Sequence, residues 1–456
     1  MSGSAWGLVE SVGPNGTNAR ILQKQGLTGK GIHIAMLSSG NALAAHEAFL
    51  LPDSQCAVTN YDFTGKGVSA ASHDTQVAGI IVSQGGKQYP DCRGVAPGSR
   101  LHSARISDGG LQISTIDRAL RELIVNKGCR VVVTGIQLPS RSMSPNGASA
   151  WAMLYDYYAE HYDVLFANAA GNGESAVTIF GDGYNGITTG GLALNDKGQY
   201  RIAGSISNPG PTADGRRKPE LMAPAQRQMA PNASNAAAWS AAGSAGGETS
   251  FAMPHTAGVA ALLMERAAQT PSPDDDKTLT IKAVLVNSTD PNLLDKSNAA
   301  TNPAETVWHP QRGYGRLDAA QALTLLDAER IRPNTTVSAV AGWGFETLDA
   351  YGQHLYRISG LKNQRLVVTV TWHRKLTRTS AASYVEERPR FNLLLEIKSL
   401  DGQTLFSESD LKNNLRKASL PLPADGLYQI TIENQSYQSG RDYAMAFELI
   451  SLPPAK

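Results

Sequence analysis

Four runs in the first half of the chain are apolar almost without interruption: IHIAML from Ile32, RLHSARI from Arg100, RVVVTGI from Arg130 and DVLFANAA from Asp163. Runs of that length without polar alternation are expected of strands covered on both faces. Between them, STIDRALRELIVNKG places apolar residues at helical spacing, with Ser114 as N-cap and Gly128 as stop, and reads as a crossover helix. Alternation of such strands and helices from Gly31 to about Leu323 predicts an α/β fold, a doubly wound and mostly parallel sheet with helices on both sides. The segment SFAMPHTAGVAALLMERAA is small and apolar nearly all round, which predicts a helix buried in the middle of the fold. Pro254 is tolerable only in its first turn, so the helix should start at about Thr249 to Ser250.

After about Arg330 the period shortens. QHLYRISG, QRLVVTVTWHR, RFNLLLEIKSL, LYQITIEN and DYAMAFELI are short β-branched or alternating runs, separated by turns such as Asp401-Gly402 and Asp425-Gly426. They predict a C-terminal antiparallel β-sandwich, jelly-roll-like, over 331–456, following an α/β domain over 1–330. Within it Trp372 reads as core.

Composition narrows the function classes. Hydrophobic residues make up 41% of the 456, charged ones 18%, and the formal net charge is +1. That balance lacks the basic excess that nucleic-acid binding needs, and no apolar run is long enough for a membrane span. The start, MSGSAWGLVES, lacks a signal-peptide pattern, and Gly3 and Ser4 read as a junction. A trimmed secreted or periplasmic protein is therefore expected, with a cytoplasmic location as the alternative. Cys56, Cys92 and Cys129 have no CxxC spacing; either Cys56 pairs with Cys92 or the thiols are free, and Cys129, ahead of a Val run, reads as core.

The blocks that carry chemistry stand in one order: GKGIHIAMLSSG, SHDTQVAGI, GVAPGSRL, NAAGN, SNPGPTADGRRKPELMAPA, ETSFAMPHTAGVAAL and GYGRLDAAQAL. Together they resemble the conserved blocks of the subtilisin-like serine proteases, the subtilases. The resemblance implies the subtilisin fold and peptide-bond hydrolysis. It makes Ser250 the nucleophile, His73 the general base and Asn172 the oxyanion donor. Gly135, Ile136 and Gln137 align with the family strand that pairs with an extended substrate. The WGL start, at Trp6, resembles a mature subtilase terminus, so a removed propeptide is expected. No cofactor is implied, and no metal, since the oxygen-rich calcium insertion is missing between Gly79 and Gly94.

Four positions depart from the family. Ser38 stands where the catalytic aspartate is kept; Asp74 replaces the glycine after the histidine; Gln76 replaces a second histidine; and Glu248 replaces the glycine before Thr-Ser. A hydroxyl at Ser38 can orient an imidazole but carries no charge to stabilise an imidazolium. Asp74 and Glu248 are candidate substitute acids, with Glu47 and Asp62 on weaker grounds. Three readings follow: a serine endopeptidase with an unusual acid, a pseudoprotease that binds peptide or a partner protein in its cleft, and a native protease in which Ser38 was engineered as a trap.

Overall fold

The computed structural model describes residues 8–136, 138, 143–173, 176–243, 248–301, 306–388 and 390–452. Two short helices, α1 (Leu8–Val12) and α2 (Arg20–Lys24), lead into a sheet built from β1 (His33–Ser38), β2 (Val58–Asp62), β3 (Arg100–Arg105), β4 (Val131–Thr134), β5 (Leu165–Ala169), β6 (Ile187–Leu194), β7 (Tyr200–Ile202) and β8 (Leu221–Pro224). Its order is β2-β3-β1-β4-β5-β6-β7, with β8 paired to β6, and every pair is parallel except β6 with β7. The four runs read as buried strands are β1, β3, β4 and β5.

Helices α3 (Ser72–Val82), α4 (Ile113–Leu120), α5 (Ala150–Tyr162), α6 (Met253–Ala267), α7 (Thr278–Asn287) and α8 (Ala319–Leu326) cover both faces. Strand β1 shows the division. Ile34 and Met36 pack in the core with α3, α6, α7 and α8, whereas Ala35 and Leu37 pack with α4 and α5. Side chains alternate along a strand, so Ser38, two residues beyond Met36, belongs to the α3/α6 side.

The crossover helix differs from expectation at its start. Its N-cap residue is Gln112, extended and without a side-chain capping bond, so Ser114 lies inside the helix. The helix continues through a π-turn over Arg121–Asn126 and ends before Gly128, whose φ of +68° suits glycine. The buried helix α6 also starts later than its sequence suggests. Thr249–Phe251 form a 3₁₀ turn, and the α-helix proper begins at Met253 with Pro254 in its first turn.

Two five-stranded sheets form the C-terminal sandwich. One runs in the order Glu329–Arg330, Ala341–Leu348, Arg441–Ser451, Gln364–Trp372, Leu415–Pro421; the other runs Thr335–Val337, Gln353–Gly360, Gly426–Asn434, Leu393–Ser399, Thr404–Glu408. Trp372 is core, 2% exposed, and its indole N–H donates to Phe391 O. The sandwich shares its packing with the α/β part, since Trp343, Ala444 and Ala446 belong to the same apolar cluster as α6 and α8. Lys417 Nζ donates to Val286 O at 2.7 Å, Asn287 O at 3.1 Å and Thr289 Oγ1 at 3.0 Å, capping the C-terminal carbonyls of α7. The Arg374 guanidinium pairs with Asp156 on α5, both side chains at most 2% exposed. The ring of Tyr184 is met by the guanidiniums of Arg216 (3.8 Å), Arg374 (4.2 Å) and Arg390 (4.8 Å).

All three cysteines are free; Cys56 is exposed, Cys92 and Cys129 are buried, and the Cys56–Cys92 alternative does not form. The Cys56 thiol instead donates to Ala44 O at 3.1 Å.

Breaking the Arg374–Asp156 pair leaves a buried carboxylate without its cation. Arg374→Ala is expected to lower stability by about 3–5 kcal/mol, read as a lower urea midpoint. Arg266→Ala, which removes a pair with both side chains about one-third exposed, is expected to cost at most about 1 kcal/mol. Equal small effects would contradict an integral sandwich.

Candidate active site

The carboxyl end of β1 is brought to the start of α3 by main-chain bonds on either side of Asn41. Asn41 N donates to Ser69 O at 2.7 Å, and Ala71 N donates to Asn41 O at 2.9 Å. The Asn41 side chain, fully buried, donates to Tyr61 O and Ser103 O and accepts from Ser69 N. On the other flank Gly135, just past β4, donates its N–H to Leu37 O at 2.8 Å. Ser38 and the first turn of α3 are therefore held by fixed backbone, at the strand ends where α/β folds place their sites.

Within this frame the Ser38 hydroxyl donates a hydrogen bond to Asp74 Oδ1. The same oxygen lies 3.2 Å from His73 Nδ1. Both acceptor and donor are sealed in: Ser38 is 1% and Asp74 2% exposed. An ionised carboxylate only accepts, so this geometry puts the imidazole proton on Nδ1 and leaves Nε2 as the basic nitrogen. Adjacent residues on a helix do not normally face each other. Here the contact forms because His73 and Asp74 lie in the first turn of α3, with Ser38 drawing the carboxylate toward the strand end. Two glycines leave the space. A Cβ on Gly40 would stand 2.5 Å from Asp74 Oδ2, and one on Gly135 would stand 3.0 Å from Ser38 Oγ and 3.6 Å from His73 Cε1.

The imidazole is one-third exposed and its other face meets the segment bearing Ser250. The His73 ring lies 5.3 Å from the ring of Phe251, the residue after Ser250, and His73 Nε2 lies 3.8 Å from Glu248 Oε2. Ser250 itself is 5% exposed on the 3₁₀ turn. That turn is tied to Asn172: Thr249 N and Thr249 Oγ1 donate to Asn172 Oδ1 at 2.7 and 2.8 Å. Thr249 Oγ1 in turn accepts from Gly171 N at 3.1 Å. Two donors facing one end of the amide fix that end as the oxygen, which leaves the Nδ2 group of the exposed Asn172 to meet an incoming oxygen.

The remaining candidates separate cleanly. Gln76 Nε2 donates to Ser240 Oγ at 2.9 Å and ties α3 to the hairpin of Gln228–Pro231 and Trp239–Ala242. Glu47 Oε1 accepts from Lys87 N at 3.1 Å. The Asp62 carboxylate accepts from Thr64 N, Thr64 Oγ1 and Gly67 N, and the Thr64 hydroxyl bond is the main reason its pKa falls to about 2. Asp62 is thus committed to its own turn and Glu47 to the loop at Lys87, 40 residues on, and neither is hydrogen-bonded to His73. Gly135 is half-buried beside Ser38 and Ile136 half-buried against the apolar cluster under α4 and α5, while Gln137 lies outside the described residues, as do Gly3, Ser4 and Trp6. A further histidine, His255, is fully buried one turn beyond Ser250; its Nε2 meets Gln228 Oε1 at 2.7 Å, and burial pushes its pKa down to about 3. Gly40 and Phe251 carry no motif of their own in the sequence; a glycine near the expected acid position and an aromatic next to the expected nucleophile are the available signals.

A sequence model of the subtilase family matches residues 14–328. Among solved structures, the prenylagaramide maturation protease PagA superposes with a TM-score of 0.50 at 22% identity, covering 68% of this chain and 98% of that one. The patellamide maturation protease PatA superposes with a TM-score of 0.48 at 23% identity, covering 65% and 97%. At these identities the likeness to PagA shows the fold. Strand order, buried helix α6 and the family match over most of the chain agree, and the chain belongs to the subtilase family of serine proteases.

Proposed function

We propose that the protein is a serine endopeptidase in which Asp74, carried on the helix beside His73, does the work of the aspartate that Ser38 replaces. The observation that carries this reading is the buried Asp74 oxygen, 3.2 Å from His73 Nδ1 and held by the Ser38 hydroxyl. Ser250 Oγ attacks the scissile carbonyl carbon and its proton passes to His73 Nε2. The carbonyl oxygen becomes an oxyanion and is met by the Asn172 amide, whose orientation Thr249 fixes. His73 then gives the proton to the leaving nitrogen as the C–N bond breaks and the acyl-enzyme remains. Water, deprotonated by Nε2, attacks the acyl carbon and releases the carboxylic acid with Ser250 restored.

Asp74 acts throughout by accepting the Nδ1 proton in a hydrogen bond and by stabilising the imidazolium that forms twice per cycle. In a low-dielectric pocket that interaction is far stronger than in water. Ser38 is a positioning residue: it has exchanged the role of acceptor for that of donor to the acceptor. The pseudoprotease and trap readings gain from a His73 without a charged partner, and the contact with Asp74 counts against both. Polypeptide is the substrate class, and a secreted or periplasmic location stays part of the proposal.

Asp74→Asn keeps the volume and removes the charge. Turnover is expected to fall about 10⁴-fold with KM little changed, measured on an unstructured polypeptide. An effect below about tenfold would mean that Asp74 is not the acid. Stoichiometric labelling of the native chain by a fluorophosphonate, abolished by Ser250→Ala, is the companion test, and a chain that is not labelled is a pseudoprotease.

Gly40→Ala supplies a distinct check without altering any polar group. Its Cβ enters the space of Asp74 Oδ2, so kcat is expected to fall by at least about tenfold, the scale of a displaced charge-assisted hydrogen bond. Full activity in Gly40→Ala would show that the carboxylate does not sit where the site needs it.

A further inference from the structure

The two ring nitrogens of His73 each face a carboxylate, but of opposite character. Asp74, at Nδ1, has a side chain only 3% exposed; Glu248, whose Oε2 lies 3.8 Å from Nε2, has a side chain 49% exposed. Among the described residues the Glu248 carboxylate has no other partner. At 3.8 Å it is in ion-pair range and beyond hydrogen-bond range, so it neither consumes the basic lone pair nor is fixed by it. Its main chain is nonetheless pinned, because Glu248 caps the 3₁₀ turn through Phe251 N and the next residue is tied to Asn172.

Which part of a substrate passes this carboxylate follows from the proposed chemistry, on which the inference rests. Nε2 hands its proton to the leaving nitrogen. The open space beside Nε2 is therefore occupied by that nitrogen and by the residues that follow the scissile bond. A solvent-reached carboxylate 3.8 Å from Nε2 faces those residues, while the acyl half of the substrate lies toward Asn172 and Gly135. The ordinary reading of an exposed glutamate is solvation of the surface. That reading leaves unexplained why the charge sits within ion-pair range of the reacting nitrogen, directly before the turn that carries the nucleophile.

We propose that Glu248 is a specificity-determining residue that selects polypeptides with lysine or arginine in the first two positions after the scissile bond. Without substrate the carboxylate rests against the imidazole edge. A basic side chain entering on the leaving side pairs with it and draws it away from Nε2, whereas an acidic side chain in the same place is repelled. Selection then comes from attraction and repulsion together, as in other charge-matched interfaces.

The test compares internally quenched peptides identical except for lysine, alanine or glutamate at those two positions. On the native enzyme the ratio of kcat/KM for the lysine over the glutamate peptide is expected to be about tenfold, the scale of a half-exposed charge pair counted with both signs, and to shrink in high salt. In Glu248→Gln the ratio is expected to fall within about twofold, and in Glu248→Lys to reverse. A ratio unchanged by Glu248→Gln, or no preference in the native enzyme, overturns the inference while leaving the peptidase reading intact. Absence of fluorophosphonate labelling at Ser250 removes the peptidase reading, and the selection with it.

Discussion

A carboxylate held between the Ser38 hydroxyl and the His73 ring is the interaction on which the rest of the site depends. Burying a charge is costly unless hydrogen-bond partners replace the lost water, and Asp74 is almost completely buried. Ser38 and His73 Nδ1 are those partners. The neighbouring backbone is organised around the arrangement: the Asn41 bonds fix the distance from β1 to α3, and Gly40 and Gly135 keep side chains out of the space that the acid and the imidazole fill. On the proposed reading, Ser38 and Asp74 form a pair of changes, in which the charge moves from the end of a strand to the start of the adjacent helix and meets Nδ1 of His73.

The frame behind this site extends into the C-terminal sandwich. α6 follows the turn that carries Ser250 and packs against α3 and the central strands, and α7 and α8 pack on the sandwich strands. Lys417 caps α7 and Arg374 enters the α5 region as a buried cation. Burial pushes the pKa of Lys417 down to about 7, and the Glu448 carboxylate works against that shift. Such an interface resembles an interior more than a contact between independent modules. A stiff scaffold suits the proposed reaction, which needs Ser250, His73 and Asn172 aligned to fractions of an ångström.

Much of this was legible in sequence for physical reasons. Strands buried on both faces announce themselves as unbroken apolar runs, and β1, β3, β4 and β5 fell where those runs are. The motif blocks pointed to Ser250, His73 and Asn172, and the fold brings the segments that bear them together. The proposed acid was harder to read. Asp74 was visible as a carboxylate beside the base, but helical geometry ordinarily turns adjacent side chains apart; only the fold shows that Ser38, 36 residues earlier, pulls it back. Glu47 and Asp62 looked comparable in the sequence, but Glu47 accepts from the distant Lys87 N and Asp62 from its own turn, bonds that no composition argument contains. The same holds for Ser114 and Gln112, where backbone conformation outranked side-chain capping preference, and for the Lys417 cap, which joins residues more than a hundred positions apart.

Moving the charge back is the most direct test of the central claim. Asp74→Gly should lose about 10⁴-fold in kcat/KM, and the double variant Ser38→Asp with Asp74→Gly, which restores the usual family residues at both positions, should recover to within about tenfold of the native enzyme. That recovery is what a migrated acid requires. A double variant as inactive as Asp74→Gly alone, or an Asp74→Gly enzyme that keeps native activity, would contradict it.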